Sequence, residues 1–188
     1  MKVSDTDALI VVDVQNDFCP GGALAVPEGD DVVPVINRLM PLFRHVIATQ
    51  DFHPPGHSSF SSRGGPWPEH CVQDTPGAGF HPDLEISHAD EIVQKGTDPA
   101  TDGYSGFAGT DLADRLRARG VERVVVTGLA TDYCVRATTI EAIEHGFEAV
   151  VLTDAIRAVD LTPGDGASAV EEMSRAGVTV TTSDRISS

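Results

Sequence analysis

The feature that most restricts the fold of this chain is Ala8-Leu9-Ile10-Val11-Val12, five consecutive apolar residues rich in β-branched side chains, ending abruptly at Asp13. A strand with one wet face would alternate polar and apolar positions. A run that is apolar throughout has to be covered on both faces, as in a parallel sheet between helices. Further runs follow at His45–Thr49, Glu91–Gln94, Arg123–Thr127, Ala149–Leu152 and around Val178–Thr181. Helix-length segments lie between most of them. Val32, Val35, Ile36, Leu39 and Met40 share one face over Val32–Phe43, and Thr110 can cap a helix through Leu112 and Leu116 that Gly120 ends. Cys134–His145 stops at Gly146, and Gly166–Ala176 at Gly177. The alternation predicts an α/β fold, a parallel sheet wrapped by helices.

At 188 residues and 40% hydrophobic composition, the sequence predicts a single domain over residues 1–188 with one substantial core. The formal net charge of -16 disfavours nucleic acid and anionic membrane as partners, because repulsion would act over most of the surface. Ala8–Val12 is too short to span a bilayer and lacks the basic flank of a secretory signal, so the expectation is a cytoplasmic protein without a membrane partner. Cys19, Cys71 and Cys134 are an odd number without CxxC spacing. That argues against a disulfide framework and makes any special cysteine a nucleophile or a ligand.

In open α/β sheets ligands bind beyond the carboxyl ends of the strands. The side chains there are Asp13, Asp51, Lys95 and those of the turn Gly128-Leu129-Ala130-Thr131-Asp132-Tyr133-Cys134. Each has an ordinary structural reading: Asp13 as a cap, Lys95 as a solvated charge, Cys134 as a small packed residue. Their convergence on one sheet edge is what points to chemistry. Cys134 lies where a loop becomes a helix, a place expected to lower a thiol pKa and to bind an oxyanion. No histidine falls at a strand end, so Asp13 is the evident proton acceptor and Lys95 its cationic partner. The long Phe52–Asp90 segment, rich in Pro, Gly and Ser, carries five of the seven histidines, and loops of that length are usually functional or disordered. Within Asp51-Phe52-His53, with His57 and then His70, one carboxylate and two imidazoles suit Zn, Mn or Fe(II).

With these residues in place the sequence resembles the nicotinamidase/pyrazinamidase branch of the isochorismatase-like cysteine hydrolases. The segments that carry the resemblance are Asp13-Val14-Gln15-Asn16-Asp17-Phe18-Cys19 with Gly21-Gly22-Ala23-Leu24, Asp51-Phe52-His53-Pro54, Trp67-Pro68-Glu69-His70-Cys71, Lys95-Gly96, Tyr104-Ser105-Gly106-Phe107 and Gly128–Val135. The resemblance implies a six-stranded, mostly parallel sheet with helices on both faces, and a metal-binding loop inserted around 52–90. It also implies a catalytic triad of Asp13, Lys95 and Cys134. Further implications are an oxyanion hole of the Ala130 and Cys134 N–H groups and a cis peptide at Leu129–Ala130. Asp51, His53 and His70 would hold one divalent ion (Zn, Fe or Mn), and His57 matches a position that is a ligand in some members only. Phe18, Trp67 and Tyr104 would contact a small pyridine carboxamide, hydrolysed to the acid and ammonia. The alternative is a related cysteine hydrolase acting on a carbamoyl or ureido amide, which would not need the metal loop.

Overall fold

The computed structural model describes all residues 1–188. Six strands, β1 (Asp7–Val12), β2 (His45–Asp51), β3 (Glu91–Lys95), β4 (Arg123–Leu129), β5 (Glu148–Arg157) and β6 (Thr179–Thr181), form one sheet in the order β3-β2-β1-β4-β5-β6. Every pairing in it is parallel, so the expected mostly parallel sheet is wholly so. Four helices, α1 (Val32–Leu39), α2 (Leu112–Ala118), α3 (Arg136–Glu144) and α4 (Asp165–Arg175), cover it.

Strand residues alternate between two cores, which is why the central runs are apolar at every position. Leu9, Val11, Val46, Ala48, Val125 and Val150 face α1, whose Val32, Val33, Ile36 and Leu39 complete that layer. Ala8, Ile10, Ile47, Val124, Val126 and Val151 face the opposite side, with Leu112 and Leu116 of α2, Ala142 of α3 and Met173 of α4. Each fully buried aliphatic side chain stabilises the fold by about 1.5–3 kcal/mol relative to exposure.

Three local differences from the sequence expectation have simple causes. The helix from Val32 gives way after Leu39 to a 3-10 turn over Met40–Leu42, because Pro41 has no N–H to continue the ladder. Asp111, not Thr110, is the residue flanking α2, while Thr110 Oγ1 accepts the Leu112 N–H at 3.3 Å from one position further out. The segment beginning at Cys134 is not α-helical from its first residue: Thr131–Val135 forms a π-helical turn and α3 starts at Arg136.

The strand order reverses between β1 and β4, the topological switch point where α/β sheets open a crevice. Gly128 shapes it. Its φ is +106°, and a Cβ there would lie 2.1 Å from the Val12 carbonyl oxygen, so only glycine lets β4 pass this close to β1 while turning toward Ala130. No helix is long and apolar enough to cross a membrane.

Candidate active site

Asp13 follows β1 directly in a left-handed conformation, φ +48°, which turns its side chain off the strand path. Asp51 and Lys95 close β2 and β3 and are register partners. The turn after β4 supplies Cys134. All four are buried, and Lys95 Nζ is their centre: 2.7 Å from Asp13 Oδ2, 2.6 Å from Asp51 Oδ1, 3.4 Å from Cys134 Sγ and 3.0 Å from the Gly103 carbonyl, to which it donates. Asp13 Oδ1 accepts the Thr49 hydroxyl at 2.7 Å. Asp13 Oδ2 receives no well-directed hydrogen bond beyond its ion contact, which leaves it able to take a proton.

Two carboxylates on one ammonium are driven apart in acidity. Burial alone would raise both. At Asp51, Lys95 and His53 more than offset it and hold the carboxyl below the usual carboxylate range. At Asp13 burial wins over Lys95, the Asp51 charge adds to it, and the pKa is raised. Burial would lower Lys95, but Asp13 and Asp51 dominate, so the ammonium persists well beyond its usual range. Separation of this kind marks the raised group as the one suited to exchanging protons.

The expected lowering of the Cys134 pKa does not occur. Burial, the largest influence, pushes the thiol well up; Lys95 pulls it down and the charges of Asp13 and Asp51 push it up, and burial prevails. The resting sulfur is a neutral thiol, because the site that excludes water also removes the solvation a thiolate would need.

Asp51, His53 and His70 place ligand atoms within 4.8 Å of one another. His53 Nδ1 donates to the Gly96 carbonyl at 2.9 Å and His70 Nδ1 to the Pro68 carbonyl at 2.7 Å, so each ring keeps its Nε2 lone pair for the cluster. His53 Nε2 is 3.3 Å from Asp51 Oδ2. A carboxylate with two such imidazoles fits a divalent transition-metal ion, and anchoring the far nitrogen on a carbonyl is the usual support for a ligating histidine. His57 does not join them. Its Nε2 donates to the Asp98 carbonyl at 3.0 Å and its Nδ1 accepts the Ser59 N–H at 3.2 Å, which uses both nitrogens. It stacks behind His53 instead, ring centroids 4.1 Å apart.

Between the thiol and this cluster lies a cavity whose lining includes Ala130 and Cys134 as well as Asp51 and His70. Phe18, Trp67, Tyr104 and Tyr133 give it aromatic walls. Trp67 Nε1 donates to Tyr104 Oη at 3.0 Å, and the Trp67 and Tyr133 rings meet edge to face at 4.9 Å. The Leu129–Ala130 peptide is cis, and the Ala130 N–H has no acceptor within the protein.

Sequence reasoning overlooked Thr49, which fixes Asp13, and Gln15. The fully buried Gln15 amide accepts the Asp51 N–H and donates to the Asp51 carbonyl, both at 2.8 Å. A polar residue just beyond a buried strand was the available signal.

Fold and site together define an α/β protein with a buried thiol, carboxylate and lysine at its topological switch point, beside a His/Asp cluster fit for a metal. The chain belongs to the isochorismatase family, whose domain description, "Isochorismatase domain", matches residues 7–185. It is 44% identical to the nicotinamidase of Escherichia coli (strain K12), over 93% of this chain and 94% of that protein. The crystal structure of a Pyrococcus horikoshii pyrazinamidase in complex with zinc superposes with a TM-score of 0.88 at 50% identity, covering 94% of this chain and 99% of that one. A structure of PnC1 from L. infantum in complex with nicotinate gives a TM-score of 0.95 at 39% identity, covering 100% and 98%.

Proposed function

We propose that this chain is a nicotinamidase: it hydrolyses nicotinamide to nicotinate and ammonia, and pyrazinamide to the corresponding acid, through a thioester on Cys134. The observation that carries the reading is the aromatic-walled cavity bounded both by Cys134 and by Asp51 and His70. A carboxamide on a nitrogen-containing ring has one group for each side.

In the first half-reaction Asp13 takes the Cys134 proton as Sγ attacks the carboxamide carbon. Because the resting thiol is neutral, proton transfer and attack go together. The oxyanion is received by the Ala130 and Cys134 N–H groups, each such donor being worth roughly 3 kcal/mol in comparable sites. Asp13 returns the proton to the amide nitrogen as the C–N bond breaks and ammonia leaves. Water then attacks the thioester carbon, giving a proton to Asp13. The C–S bond breaks to release the acid, and Asp13 reprotonates the sulfur. Lys95 keeps its charge throughout and balances the negative charge that passes between Asp13 and Cys134. A divalent ion on Asp51, His53 and His70 would supply a Lewis-acid anchor for the ring nitrogen. Phe18, Trp67 and Tyr104 hold the ring between them. A carbamoyl or ureido amide would make no use of the His/Asp cluster, which is why the pyridine reading is preferred. The three cysteines are all free and buried, which suits a reducing compartment, and we place the enzyme in the cytoplasm.

The test is ammonia release by the purified protein. Nicotinamide should be turned over with metal present and far more slowly after chelation, and benzamide, which lacks the ring nitrogen, should be a poor substrate in both conditions. Benzamide turnover equal to that of nicotinamide would overturn the ring-anchor reading.

A further inference from the structure

Asp17, inside the opening motif, has no part in the chemistry above, yet its carboxylate ties together two separate loops around the site. Its Oδ2 accepts the Cys71 N–H at 2.7 Å, its Oδ1 accepts the Ala23 N–H at 3.2 Å, and its carbonyl accepts the Leu24 N–H at 3.0 Å. Gly77 is packed against the same carboxylate: a Cβ there would lie 2.1 Å from Oδ2. The residues on either side extend the grip. Asn16 Nδ2 donates to the Pro76 carbonyl at 2.7 Å, and the Phe18 ring sits 5.6 Å from the His70 ring.

What this grip holds is strained. Cys71 has φ +45°, a left-handed conformation that a residue with a side chain adopts only where its surroundings impose it. Cys71 directly follows His70, so the backbone angle at 71 fixes how the chain leaves the histidine. The charge-assisted bond from Asp17 is the specific contact that holds the Cys71 N–H. Through Ala23 the same carboxylate steadies the loop that brings the next residue, Leu24, to the cavity wall, and the Asp17 main-chain carbonyl holds the Leu24 N–H.

We infer that Asp17 is a positioning residue whose carboxylate joins the metal-binding loop to the pocket wall: by fixing Cys71 it holds His70 toward Asp51 and His53, and by fixing Ala23 it sets the wall at the adjoining Leu24 in the same frame. This rests on reading Asp51, His53 and His70 as a metal site.

The test measures zinc affinity of the full chain by competition with a chromophoric chelator, in wild type, Asp17→Asn, Asp17→Ala, Gly77→Ala and Glu69→Gln. Asp17→Asn keeps the shape but loses an acceptor. Gly77→Ala displaces the carboxylate without altering charge. Glu69→Gln removes an exposed charge beside His70 without touching these bonds. Zinc affinity should fall about 10- to 100-fold in both Asp17 variants and in Gly77→Ala, the range usual for residues that support metal ligands, and stay near wild type in Glu69→Gln. At saturating zinc, Asp17→Ala should still show a raised KM for nicotinamide, because the Ala23 tether beside the Leu24 wall stays broken. Unchanged zinc affinity in folded Asp17→Asn and Gly77→Ala would overturn the inference, even if their melting temperatures fell. An equal loss in Glu69→Gln would also overturn it, by assigning the effect to charge alone. A wild-type protein that binds no zinc would sink the metal-site reading itself.

Discussion

The thiol side of the site hangs on the sheet. Asp13 follows β1, Lys95 ends β3, and Cys134 lies in the turn leaving β4, so strand register and the switch point bring them together. On the metal side Asp51 ends β2, but both histidines are carried by irregular chain. His53 and His70 lie in a segment ordered by short 3-10 turns, by isolated bridges such as His53 with Val72 and Phe60 with Trp67, and by side chains reaching in from elsewhere. A sheet fixes its end residues through many cooperative hydrogen bonds, whereas a loop depends on a few, each of which matters more. The difference implies that the nucleophile should survive perturbations that disable the metal side.

The largest break in this comparison is Cys134→Ala. Nothing else in the turn can replace the sulfur, and turnover should fall by about 10⁴- to 10⁶-fold, the scale seen when a nucleophile is deleted, with the fold retained by circular dichroism. Cys134→Ser should also be nearly inactive, since its hydroxyl is far harder to deprotonate. Substantial activity in Cys134→Ala would mean that the nucleophile is not this thiol.

A smaller and more discriminating effect is expected from verified metal removal. Lost orientation of the ring should cost about 10²-fold or more in turnover. Cys134 in the metal-free protein should still react with a small alkylating reagent, because Lys95 and Asp13 hold it from the sheet. Asp13→Asn should do the reverse, leaving zinc affinity intact while slowing alkylation through loss of the proton acceptor. Mass spectrometry of the labelled peptide reads both, and equal alkylation of Asp13→Asn and wild type would remove Asp13 as the base.

The smallest effect concerns pH. Burial lowers the pKa of His57, with the neighbouring His53 adding to it, and burial likewise lowers His70 against the pull of the Pro68 carbonyl. A histidine lowered in the fold is neutral there while its unfolded counterpart is already protonated. The unfolded state therefore binds more protons as pH drops below about 6.5, and stability falls with it. In salt that screens the net charge, the metal-free protein should melt a few degrees lower at pH 5.5 than at pH 7. His57→Gln should shrink that difference, as should saturating zinc, which ties up His70. A melting temperature that does not fall between pH 7 and 5.5 in the metal-free protein would show that the loop is not the acid-sensitive half.

What could be read from the residues follows the same division. Uninterrupted apolar runs imply two-sided burial, and an α/β order places the end of each strand at a sheet edge, so Asp13, Asp51, Lys95 and Cys134 could be singled out before any geometry was known. His57 could not be separated from His53 and His70, because which nitrogens are free depends on Asp98 and Ser59, contacts that spacing does not encode. Helix boundaries were legible where glycine or proline ends them and uncertain at Cys134, where the chain takes a π-helical turn.

The sequence by itself determined the layer architecture and the cast of reactive groups, since periodicity and residue chemistry are local properties of the chain. Only the tertiary structure decided their states. Cys134 sits in a turn that by itself would favour the thiolate, yet burial beside two carboxylates leaves it a neutral thiol. Asp13 and Asp51, alike as residues, diverge because Lys95 and His53 together outweigh the burial of Asp51, whereas burial prevails at Asp13. Solvation and charge proximity are set by what the fold brings within a few ångströms, and no stretch of sequence contains that information.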